Sequence, residues 1–150
     1  MSEAMFRMFE LAQQGFSCSQ ILLQLGLEAQ GKSDPDLIRA MAGLAGGMGF
    51  SGETCGALTG GACLLGLYAG KGTAEEQPRE KFDLMVSELV DWFKDKHTSE
   101  YGGYNCSDIL GDELQYKLVS MKCGNIVSEV YEKVKELLLA HGIEPTEVRS

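Results

Sequence analysis

Apolar residues recur along this chain at spacings of three and four, the period of helices with one buried face. Met5, Met8, Phe9 and Ala12 make the first such stripe, which Gly15 ends. Ser17 is placed to cap a second helix, with Cys18 in its first turn and Ile21, Leu22 and Leu25 on its inner face before Gly26 and a loop through Gly31. Asp34 followed by Pro35 signals a third start, whose stripe of Leu37, Ile38, Met41 and Leu44 fades at Gly46 and Gly47. Ser51 then predicts the cap of a central helix that begins through Glu53 and Thr54 and holds Cys55 about one turn inside. Along it Gly52, Gly56 and Gly60 share one side, Cys55, Thr59 and Cys63 form a neighbouring stripe, and Leu64, Leu65, Leu67 and Tyr68 leave almost no polar face.

The second half repeats the pattern. Thr73 predicts the start of a long helix with the stripe Phe82, Met85, Val86, Leu89, Trp92 and Phe93, unless Pro78 forces a later one. That helix should end near His97, and Thr98 to Asn105 reads as a loop turning at Gly102 and Gly103. Asn105 with Asp108 resembles a capping box for a short helix that opens on Cys106 and closes at Leu110 and Gly111. After a segment around Leu114 and Leu118, Ser120 caps the last helix, with Cys123 in its first turn and Ile126, Val127, Val130, Val134, Leu137 and Leu138 as its stripe. Gly142 and Pro145 end it, and a frayed tail is expected over 143–150. No stretch alternates apolar and polar residues as a strand would. The expected fold is all-α, a single-domain bundle (1–150) of about six helices around a buried glycine-rich central helix.

Composition narrows the function classes. A net charge of -9 over 150 residues, with no lysine or arginine cluster, argues against nucleic acid and anionic membrane as partners. The acidic N-terminus lacks the basic-then-apolar order of a signal peptide, and the uncharged run Thr54 to Gly70 is short for a bilayer span, so a cytoplasmic location is expected. In that setting five cysteines read as thiols, metal ligands or redox groups and not as a disulfide framework. There is no CxxC pair and no CxxCH haem motif.

Cys18, Cys55, Cys106 and Cys123 each fall near the first turn of a predicted helix, behind Ser17, Ser51, Asn105 and Ser120. The helix dipole and unpaired N–H groups there favour thiolate, the form that acts as nucleophile, redox centre or metal ligand. Cys63 does not share that position. His97 and His141 read as residues near helix C-termini that meet the dipole, and Glu53 as a solvated first-turn acid.

The segments GFSCSQ (Cys18), GGMGFSGETCGALTGG (Cys55), YNCSDILG (Cys106) and MKCGNIV (Cys123) resemble the C_GCAxxG_C_C family of redox-active proteins. The family's GCAxxG stands here as TCGALTG, Thr54 to Gly60, with cysteine and glycine in a different local order, and Cys63 falls outside the pattern. The resemblance implies a helical domain that brings four cysteines together for a redox or metallocluster role.

Three functions follow. Cys18, Cys55, Cys106 and Cys123 converge as ligands of an iron-sulfur cluster or another thiophilic metal. Alternatively, pairs of them cycle between dithiol and disulfide without metal, with Cys55 or Cys18 as attacking sulfur and an unidentified redox partner. Otherwise the cysteines only pack, and the Gly52, Gly56, Gly60 face docks a partner or a second copy in a homodimer.

Overall fold

The computed structural model describes residues 2–117 and 120–148. Among these residues the chain is all-α, with seven α-helices and no strand: α1 (Glu3–Gln13), α2 (Cys18–Ala29), α3 (Pro35–Met41), α4 (Gly56–Ala69), α5 (Phe82–Tyr101), α6 (Cys106–Leu110) and α7 (Met121–Ala140). Turns of 3-10 helix cover Ala42–Leu44 and Gly111–Tyr116. Leu118, which the sequence places beside Leu114 in a short segment, lies outside the described residues. No described helix is long and apolar enough to cross a membrane.

α4 is the hub, packing on α2, α5 and α7. Leu58, Leu64, Leu65, Tyr68 and Ala69 are buried on it, while Cys63 sits on its one exposed edge. Its glycines set how closely the neighbours approach. A Cβ on Gly60 would come within 2.7 Å of Ser19 Cα on α2, so the two backbones pack at a distance that only glycine allows. Buried Ser19 secures α2 to α3 as well, its hydroxyl donating to the Met41 carbonyl at 2.9 Å. The glycine face proposed for a partner is therefore occupied internally: Gly56 and Gly60 lie against α2, and Gly52 lies against Ser107.

Helix boundaries depart from the expected ones where tertiary contacts outweigh local signals. α2 continues through Gly26 to Ala29, because the missing side chain of Gly26 makes room for that of Leu64. α4 begins at Gly56 with Cys55 as N-cap, and Ser51 does not cap it. The preceding chain instead winds through five consecutive left-handed residues: Gly46 (φ 62°), Gly47 (76°), Met48 (70°), Gly49 (63°) and Phe50 (60°). Ser51 belongs to that turn, its hydroxyl donating to the Met48 carbonyl at 2.7 Å. Three glycines carry such a winding cheaply, whereas Met48 and Phe50 each cost about 1–2 kcal/mol there.

α5 starts at Phe82, beyond Pro78, and runs past His97 to a left-handed Gly102. His97 is thus a core residue and not a helix-end partner of the dipole: fully buried, with Nδ1 2.9 Å from the Phe93 carbonyl and its ring against Phe93 and Tyr101. On α1, Met8 and Leu11 are buried, but Phe9 stays 60% exposed at the rim of a groove facing α7. Residues 143–148 pack back on the bundle. Ile143 is buried, Tyr68 donates to the Pro145 carbonyl at 2.6 Å, and Gln30 donates to the Glu147 carbonyl at 2.8 Å.

Candidate functional site

Four helix starts meet around one cavity of about 310 Å3, and each brings a cysteine to its wall. Cys18 is the first residue of α2, Cys55 the N-cap of α4, Cys106 the first residue of α6 and Cys123 the third residue of α7. Local chemistry fixes three of the starts, those of α2, α6 and α7. Gln20 accepts from the Ser17 N–H at 3.0 Å, Asp108 from the Asn105 N–H at 3.2 Å, and the Ser120 hydroxyl from the Cys123 N–H at 3.2 Å. Cys63 lies elsewhere on α4, beside Phe82 and Val86 of α5. Glu53, His97 and His141 do not line the cavity.

Cys55 and Cys106 are held together by a feature with no sequence signal. Thr54 and Asn105 form an isolated antiparallel bridge; next to it the Cys106 N–H donates to the Glu53 carbonyl at 2.7 Å and the Ser107 N–H to the Gly52 carbonyl at 3.1 Å. Gly52, at φ 80°, lies under Ser107, where a Cβ would come within 3.0 Å of the serine Cβ. The turn before α4 and the start of α6 thus form one unit carrying two thiols.

The other two thiols line the same cavity. The Cys18 thiol holds the Cys123 thiol down at about 6 against the opposing effect of burial, with Ser120 contributing in the same direction. Cys123 in turn, with burial, pushes Cys18 well above the usual thiol range. The ionisation of each thiol is therefore tied to that of the other, with Cys123 shifted down and Cys18 up. Burial pushes Cys55 up to about 12, only partly offset by the N–H groups of Ala57 and Leu58, with which its sulfur closes no cap hydrogen bond. Cys106 rises to about 11, again through burial. The expectation that all four helix starts favour thiolate is corrected accordingly: desolvation outweighs the dipole at Cys55 and Cys106, and the neighbouring Cys123, with burial, does so at Cys18.

The family model described as "Putative redox-active protein (C_GCAxxG_C_C)" matches residues 16–137, a span that includes every cysteine of this cavity. The chain belongs to the C_GCAxxG_C_C family. No curated protein and no solved structure matches it. The thiol-only donor set of this C_GCAxxG_C_C member is the chemistry of soft-metal and iron-sulfur sites. Its geometry does not fit a single ion, however: among the described residues no three Cys, His, Asp or Glu side chains are grouped so that they could hold one.

Two further residues of the cavity wall escaped the sequence reading. Phe50 comes from the left-handed turn and Lys117 follows the 3-10 segment Gly111–Tyr116, with the ammonium 5.5 Å from the centre of the Phe50 ring. No periodicity or cap marks either position.

Proposed function

We propose that this protein is a thiol-disulfide redox protein whose working pair is Cys18 and Cys123. The observation that carries the reading is that Cys18 and Cys123 line one cavity, where the Cys18 thiol and Ser120 favour the thiolate form of Cys123. A thiolate beside a thiol that stays protonated is the arrangement a dithiol needs to attack and then resolve. Cys123 attacks one sulfur of a substrate disulfide, that S–S bond breaks, and the departing thiolate takes up a proton. Cys18, once deprotonated, attacks the mixed disulfide at Cys123 and releases the second substrate thiol. The substrate disulfide is reduced to two thiols and the Cys18–Cys123 dithiol is oxidised to a disulfide. A dithiol reductant is required to restore the starting state.

Reaction of the reduced protein with neutral bis(2-hydroxyethyl) disulfide, followed by mass spectrometry, tests this. A Cys18–Cys123 disulfide is expected; Cys18→Ser should stop at an adduct on Cys123, and Cys123→Ser should slow oxidation at least about tenfold. Oxidation that is unchanged in Cys123→Ser, or that links another pair, sinks the proposal.

A second reading, four-thiolate ligation of an iron-sulfur cluster, is favoured by the presence of all four thiols on one cavity wall. Anaerobic purification with assays of iron, zinc and acid-labile sulfide decides between the two. Iron and sulfide bound in proportion to protein, and lost in Cys55→Ser and Cys106→Ser, would select the cluster.

A further inference from the structure

The thiol-disulfide reading leaves the substrate open, and the wall of the cavity bears on it. At about 310 Å3 the space lies at the small end of the ~300–1,000 Å3 range of small-molecule sites. Apart from the cysteines, Ser17 and Gln20, its lining is apolar (Phe16, Ala45, Ile109 and Leu110 among others) with a single charged residue, Lys117. No carboxylate lines it, although the chain has 22 acids against 13 lysines and arginines.

Nothing in the described structure neutralises Lys117. Each ion pair found among the described residues belongs to other side chains, such as Lys122, which takes Glu113 at 3.3 Å. Asp112 shares a shallower neighbouring cleft with Lys117 and makes no ion pair with it. The ammonium is instead held over the Phe50 ring. Both residues adopt left-handed backbone, Phe50 at φ 60° and Lys117 at φ 55°, so two of the four described non-glycine residues with positive φ meet at this cavity. Each such residue costs about 1–3 kcal/mol unless its surroundings enforce it.

We infer that the cavity selects small anionic disulfides, with Lys117 pairing with the substrate's carboxylate or similar anionic group while the disulfide reaches Cys123. The inference rests on the thiol-disulfide reading. It also runs against the global field: a chain of net charge -9 repels anions, so a preference for them has to arise locally.

Alkylation with iodoacetate and iodoacetamide tests it without requiring disulfide exchange. The two reagents share a reactive carbon and differ by one negative charge. The ratio of their rates at the cavity thiols, located by mass spectrometry, is compared with that of free N-acetylcysteine. The ratio should lie several-fold above the free thiol, fall roughly tenfold in Lys117→Gln, survive in Lys117→Arg and decline with added salt. A parallel series should rank dithiodiglycolate above bis(2-hydroxyethyl) disulfide and cystamine last. A ratio at or below that of N-acetylcysteine, a ratio untouched by Lys117→Gln, or no alkylation of any cavity thiol overturns the inference. If the neutral disulfide fails to oxidise Cys18 and Cys123 while the alkylation ratio behaves as expected, the redox reading falls and anion selection by the cavity stands.

Discussion

Cys123 draws its thiolate character from two neighbours, Cys18 and Ser120. The Cys18 thiol is the largest influence, followed, after the opposing cost of burial, by the Ser120 hydrogen bonds. Alkylation of Cys123 by neutral iodoacetamide should therefore reach half its maximal rate near pH 6. Cys18→Ala should move that midpoint toward the ordinary thiol value of about 8.5, and an unmoved midpoint would remove Cys18 as the cause. The sign for stability follows. Because the folded-state pKa of Cys123 is depressed, its contribution is present above the unfolded thiol pKa and is lost as pH falls through about 6. Cys55 and Cys106 act oppositely: raised to about 12 and about 11, they contribute stability that is present below the ordinary thiol range and lost as pH rises through those values. The spacing of Ser17, Asn105 and Ser120 made three of the cysteine positions legible in the sequence. Which thiol ionises was not legible, because that depends on a partner brought to Cys123 from the other end of the chain.

Helix starts carried by their own side chains were readable: Asp34 before Pro35, Asn105 with Asp108, and Ser120. The start of α4 was not, because Ser51 is as good a cap as those but is drawn into the left-handed turn, where Met48 takes its hydroxyl hydrogen bond. The Thr54–Asn105 bridge was equally hidden, since a single pair of residues leaves no periodicity. Glycines separate what a sequence can and cannot reveal in the same way. Gly60 and Gly124 are both helical glycines, yet a Cβ on Gly60 would press on the α2 backbone at 2.7 Å, whereas one on Gly124 would meet nothing within 4 Å. Gly60→Ala should destabilise the protein by about 1–3 kcal/mol through overpacking. Gly124→Ala should stabilise it by about 0.5–1 kcal/mol through helix propensity. Urea unfolding of the two variants checks the contrast, and equal effects would show that α2 and α4 do not pack backbone to backbone.

At the scale of the whole molecule the cavity is built from four segments that reach from the start of α2 to the start of α7, so a bond between Cys18 and Cys123 closes a loop over more than two thirds of the 150-residue chain. Closing a loop of about 100 residues removes enough unfolded-chain entropy to stabilise a protein by up to roughly 4–5 kcal/mol, and commonly by about 2–4. For a chain of 150 residues that corresponds to a rise in melting temperature of roughly 6–12 °C. A Cys55–Cys106 bond would close a loop about half as long, within a unit already tied by the bridge. It would carry no gain that depends on Cys123. Thermal unfolding of the reduced protein, the oxidised protein and oxidised Cys123→Ser therefore reads the pairing from stability alone. The oxidised protein should melt highest, and oxidised Cys123→Ser should match its own reduced form. If oxidation raises the melting temperature equally with and without Cys123, the stabilising bond lies elsewhere and the Cys18–Cys123 pair is not the one that cycles.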